Sequence, residues 1–164
     1  MRLHRSGAES VPGFALILQF WWRFRWFAGL HRTKSALPRK RRGPGLGRYG
    51  ELIRLAHSIV GPQDTSALVL LHEITESSGS WDPIVERLRA TYRVVTVDLR
   101  GHGESPLGEA YDPVSYATDV VETVASAGIE RPVVIGHSLG GVVASAVAAI
   151  SPVGGGINVD AGGT

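Results

Sequence analysis

The nine residues VVIGHSLGG, positions 133–141, decide how this chain is read. An apolar run ends in Gly136, His137, Ser138, Leu139 and Gly140, which fit the spacing G-x-S-x-G. In that pattern a strand stops, turns sharply and becomes a helix, with the serine hydroxyl left exposed on the bend. Glycines two places before and two places after the serine remove the side chains that would block so tight a turn. Five residues match such a pattern by chance, so the flanking sequence has to supply the test.

From Gly50 onward that sequence is regular. Leu52 to Val60 is strand-like, GPQDTS is a turn, and Ala67 to His72 is a continuous apolar strand of the kind buried on both faces. SWDPIVERLRA sets Trp81, Ile84, Val85 and Leu88 at helical spacing. Tyr92 to Leu99 reads as a second buried strand and RGHGESP as a glycine-punctuated loop. Ser115 to Gly128 reads as a helix ended by glycine, RPVVIG as a third buried strand, LGGVVASAVAAI as a helix, and GGINVDAGG as a fourth strand. Apolar strands alternating with helices predict an α/β fold whose mostly parallel sheet is covered on both faces through right-handed crossovers. Ser138 then stands at the carboxyl edge of that sheet, where ligands bind in open α/β folds.

The segments LVLLHEI, SWDPIVERL, YRVVTVDLRGHGES and PVVIGHSLGGVVA, in this order and spacing, resemble the first part of an α/β-hydrolase domain. The resemblance covers residues 50 to 160 and implies a partial α/β-hydrolase fold, cut after its sixth strand by the family's count. It implies a serine hydrolase of the esterase, lipase or amidase kind, acting on a small-molecule ester or amide without cofactor or metal. Ser138 is then the nucleophile, and the amide of Leu139 at the helix start is an oxyanion donor, favoured further by the helix dipole. The second donor is the amide of Ile74, in the loop after the first buried strand. Where relatives commonly carry His-Gly-x-x-Gly, this chain reads HEITE, with Glu73 and Glu76 in the glycine positions. A side chain at 73 is a restriction if that position needs positive φ. A carboxylate there also opposes the charge the hole must stabilise, unless both glutamates face solvent. Serine in place of aspartate at the elbow disfavours epoxide-hydrolase and haloalkane-dehalogenase chemistry.

In such enzymes the acid and then the histidine follow the nucleophile in the chain. The six histidines are His4, His31, His57, His72, His102 and His137, and none follows Ser138. His137 projects differently from its neighbour on so tight a turn. His102 sits on a loop at the same sheet edge and is the remaining candidate base, or a loop brace; His72 is read as a brace of the oxyanion loop. Asp98 is read as a cap of the loop after it. Asp160, ending INVD, is either the orienting acid or a surface carboxylate. The chain alone is therefore expected to be inactive or weakly active, because an unassisted hydroxyl is a poor nucleophile and loss of a triad costs roughly 10⁶ in turnover. The strand Gly156–Val159 is expected to form an exposed edge open to self-association.

The N-terminal part has a different chemistry. Residues 1–50 hold 11 Lys/Arg and one acidic residue, Glu9, while residues 51–164 hold 6 and 14. All four phenylalanines and three of the four tryptophans also precede Gly50. The chain thus divides into a basic, aromatic extension over residues 1–46 and a hydrolase domain over 47–164. The uncharged run Val11 to Trp22 reaches roughly 18 Å as a helix, against roughly 30 Å of bilayer hydrocarbon. Arg23 and Arg25 interrupt it where a signal peptide stays apolar. Residues 11–42 suit an interfacial membrane anchor, with Arg39, Lys40, Arg41 and Arg42 attracted to anionic lipid. The same basic run also suits nucleic acid without specific recognition, and an extension with no evolved role stands beside both. The chain is read as cytoplasmic, with membrane association as the alternative. The absence of cysteine excludes disulfides and thiolate metal sites and leaves the redox compartment open.

Overall fold

A computed structural model describes residues 52–159, so the extension over residues 1–46 and Asp160 lie outside the described residues. Five strands form one sheet: β1 (His57–Val60), β2 (Ala67–Leu71), β3 (Arg93–Val97), β4 (Val133–His137) and β5 (Gly155–Val159), in the order β1-β3-β2-β4-β5. β2, β3, β4 and β5 are mutually parallel, and β1 joins the β3 edge antiparallel, with His57 opposite Val97. The crossovers carry α1 (Asp82–Leu88), α2 (Pro113–Ser126) and α3 (Leu139–Ile150), and a 3₁₀ turn over Ser78–Trp81 leads into α1.

Alternation along the strands fills two faces. Val69, Leu71, Val95, Val97 and Val134 meet Tyr116, Ala117, Val120 and Val124 of α2 and Val143, Ala144 and Val147 of α3. Leu68, Leu70, Val94 and Ile135 turn to the other face and are equally buried. Trp81 is 2% exposed, and its turn packs against β2 and β3. This two-sided burial explains why the central parallel strands β2, β3 and β4 read as largely apolar runs.

α2 shows how sequence sets an element's limits. Asp112 accepts from the amides of Val114 and Ser115, and Pro113 follows at the first helical position, so the helix starts two residues before the predicted Ser115. At its end Gly128 takes φ +67°. The amides of Gly128 and Ile129 then return to the carbonyls of Ala125 and Val124, a Schellman closure that buries Ile129 against the core.

β1 is shorter than the predicted strand over Leu52 to Val60. Upstream of His57 the backbone is held by side chains: Ile53 N–H donates to Asp119 Oδ1, Leu55 N–H to Thr123 Oγ1 and Ala56 N–H to Ser105 Oγ.

Candidate active site at the carboxyl edge of the sheet

β4 ends at His137 and α3 begins at Leu139, leaving Ser138 alone to make the turn. Ser138 has φ 51° and ψ −112°, a conformation that L-residues avoid and that typically costs of order 1–3 kcal/mol. Only Arg131 shares a positive φ among the described non-glycine residues. The glycines are obligatory for a steric reason. A Cβ on Gly136 would overlap the Gly140 carbonyl, and one on Gly140 would lie 2.6 Å from the carbonyl carbon of Leu71 and 2.8 Å from the His72 oxygen. The first turn of α3 thus lies directly on the end of β2. Ser138 N–H donates to Val159 O at 2.9 Å, tying the elbow to the end of β5 as well. Leu139 opens α3, so its amide has no intrahelical acceptor and belongs to the positive end of the helix dipole.

The loop after β2 carries Ile74 on the same edge, 61% exposed. Glu73 is not in the left-handed region, so the restriction a side chain there would impose does not arise. The Thr75 hydroxyl donates to the Glu73 carboxylate, and Glu76 faces solvent.

His72 is fully buried, and both its ring nitrogens are engaged by backbone. Leu99 N–H donates to Nε2 at 3.0 Å, which fixes the proton on Nδ1, and Nδ1–H donates to Glu73 O at 2.7 Å. Burial is the main cause holding its pKa below the ordinary range, with the nearby His102 acting in the same direction. His72 therefore braces the loop and presents no free basic nitrogen. His102 likewise spends its ring on backbone, with Nδ1 3.0 Å from Arg100 O and Nε2 2.9 Å from Ile74 O.

Asp98 fastens the neighbouring loop, the capping role its position predicts. Its carboxylate accepts from Ser78 N–H at 2.7 Å and from Glu104 N–H at 2.9 Å. Burial pushes the Asp98 carboxyl up, but the Glu104 and Ser78 donors outweigh it and hold the group below its ordinary value. Gly103, at φ +51°, leaves room for that carboxylate, which a Cβ there would overlap.

A buried pair unforeseen from sequence stiffens this edge further. Arg100 Nε donates to Asp119 Oδ2 at 2.6 Å, and its Nη atoms donate to the carbonyls of Ala110 and Ser115. The signal was present: Asp119 falls on the buried stripe of α2 with Tyr116, Ala117, Val120 and Thr123, where an acid needs a buried partner.

A cavity of about 390 Å³, lined by Val120, Val124, Ile129, Pro132, Val147 and Pro152, opens at the amino ends of the strands, away from Ser138. It plays no part in this site. Among the described residues there is no cluster of His, Asp or Glu that could hold a metal ion, and no helix long and apolar enough to cross a membrane.

A strained serine between two sterically required glycines, on a mostly parallel sheet flanked by helices, is the arrangement of the hydrolase class of α/β proteins. The family match agrees: residues 68–164 match the alpha/beta hydrolase family, and the chain belongs to it. It is similar to 3-oxoadipate enol-lactonase 1 of Acinetobacter baylyi, at 36% identity over 90 residues, 55% of this chain and 34% of that protein. It is also similar to epoxide hydrolase 4 of Mus musculus, at 32% identity over 103 residues, 61% of this chain and 29% of that protein. A solved marine microorganism esterase superimposes with a TM-score of 0.57 at 31% identity, covering 59% of this chain and 37% of that one. The chain spans about a third of the length of the curated relatives it matches.

Proposed function

We propose that the domain beginning near residue 47 is a serine hydrolase for small-molecule esters, lactones included, in which Ser138 is the nucleophile. The observation that supports this most is the backbone of Ser138 itself: φ 51° is retained on a residue with a side chain, in a turn that has glycine on both sides. Such strain is kept where it aims a reacting group. The hydroxyl attacks the ester carbonyl carbon and gives up its proton; the carbonyl oxygen becomes an oxyanion facing the amides of Leu139 and Ile74. The acyl C–O bond then breaks, the leaving oxygen takes up a proton to become an alcohol (tethered to the acyl group in a lactone), and water later hydrolyses the acyl-enzyme to the acid and free Ser138. Serine at the elbow favours this over the chemistry named for the epoxide-hydrolase relative. An esterase and an enol-lactonase among the relatives favour esters over amides.

The 164 residues alone turn over slowly in this reading. His72 and His102 are committed to backbone oxygens, and no histidine follows Ser138. Asp160 is the candidate orienting acid, one residue beyond the Val159 carbonyl that receives the Ser138 amide. Two further readings concern association. β5 pairs only with β4 among the described residues, which suits self-association along its free edge. Residues 11–42 suit a membrane surface, which lipid co-sedimentation with and without residues 1–45 tests.

Fluorophosphonate labelling tests the central reading. Prolonged exposure should modify half-buried Ser138 ahead of the exposed serines, orders of magnitude more slowly than a complete triad allows. Labelling spread evenly over surface serines rejects the nucleophile assignment. Rapid labelling, or saturable p-nitrophenyl acetate cleavage by the purified chain that Ser138→Ala abolishes, rejects the inactivity.

A further inference from the structure

An oxyanion role for Ile74 requires its N–H to be held in one direction, although Ile74 is exposed and no glycine turn shapes its loop. Two peptide planes meet at this residue. The Glu73–Ile74 plane carries the Ile74 N–H, and its carbonyl accepts from His72 Nδ1–H at 2.7 Å. In a trans peptide N–H and C=O point opposite ways, so pinning the Glu73 oxygen toward buried His72 turns the Ile74 N–H outward from it. The Ile74–Thr75 plane is held independently, by His102 Nε2 at 2.9 Å from Ile74 O. His102 is itself fixed at its other nitrogen by Arg100 O at 3.0 Å, and its ring lies 5.1 Å from that of His72. Arg100 is in turn locked to Asp119.

We propose that His102 is the positioning residue of the oxyanion loop: it bridges the carbonyls of Arg100 and Ile74 and, with His72 on the preceding carbonyl, clamps both peptide planes that meet at Ile74. The catalytic value of this clamp rests on the oxyanion role proposed for the Ile74 amide. Carbonyl oxygens only accept, so an end of the bridge is held by a ring N–H of His102 donating to a carbonyl. This gives His102 a task other than proton abstraction and explains how the loop keeps its shape with glutamates in the glycine positions.

The test is nuclear magnetic resonance on the full 164-residue chain. In the wild type, Ile74 should have an order parameter of about 0.85. His102→Phe keeps a ring and removes both donors, and the order parameter at Ile74 should fall below about 0.6 while that at core Val69 is unchanged. His102→Gln, which keeps an N–H donor, should recover part of the loss. An Ile74 that stays rigid in His102→Phe overturns the clamp. Fluorophosphonate labelling of the same variants separates the two readings. If Ile74 loosens while Ser138 labels at the wild-type rate, the clamp stands and the oxyanion role of Ile74 falls.

Discussion

Gly140 rests on the backbone of Leu71: a Cβ at 140 would lie 2.6 Å from the Leu71 carbonyl carbon, and that carbon has nowhere to move inside a paired central strand. Helix α3 is therefore seated on β2 by the absence of a side chain. Alanine inside a helix normally gains up to about 1 kcal/mol over glycine, and here the sign inverts. Gly140→Ala should lower stability by about 3 kcal/mol, as overpacking does. Gly128→Ala, with nothing within 4 Å of its Cβ but φ +67°, should cost only about 1 kcal/mol. Urea midpoints of the two variants check the contrast, and equal losses contradict it.

The strain at Ser138 has a separate signature. Glycine relaxes at φ 51° and alanine does not. Ser138→Gly should therefore be more stable than Ser138→Ala by about 1 kcal/mol, with labelling abolished in both. Thermal unfolding of the pair measures this directly. Equal melting temperatures would mean that the turn carries no strain.

What the sequence discloses and what it hides divide along locality. The elbow is legible because its demand is steric and confined to five residues, Gly136 to Gly140. The central parallel strands β2, β3 and β4 are legible because two buried faces leave a largely apolar run. The pattern extends β1 five residues too far, since Leu52 to Ala56 look like strand but give amides to Asp119, Thr123 and Ser105, partners 49 to 68 residues away. The ties from His72 to Leu99 and from His102 to Ile74 join separate loops across 27 and 28 residues, and no local pattern announces them.

The Arg100–Asp119 pair is almost wholly buried, at 5% and 0% side-chain exposure. Removing one partner strands the other charge in the interior, which typically costs about 3–5 kcal/mol. Asp119→Ala also removes the acceptor for Ile53 N–H, so it should lie at the upper end of that range. Asp119→Asn keeps an acceptor for that amide and should cost less. Chemical denaturation of both variants gives the order, and a loss under about 1 kcal/mol for alanine would show that the pair is dispensable.

His72 predicts an acid sensitivity of defined sign. Burial leads the causes that hold its pKa below the ordinary value, so the folded protein keeps the ring neutral over a range where the unfolded chain protonates it. Below about pH 6.5 the unfolded state binds a proton at this position that the native state refuses, and stability falls as pH falls. The slope from this group is at most about 1.4 kcal/mol per pH unit, the value of one proton. His72→Asn, whose amide N–H can stand in for Nδ1–H toward Glu73 O, removes the titration while keeping that bond. Its urea midpoint should therefore fall less than that of the wild type between about pH 7 and about pH 5, and the difference between the two curves isolates His72 from the other histidines. Parallel curves would mean that His72 is protonated in the folded state, and the Leu99 N–H would then face a donor instead of a lone pair.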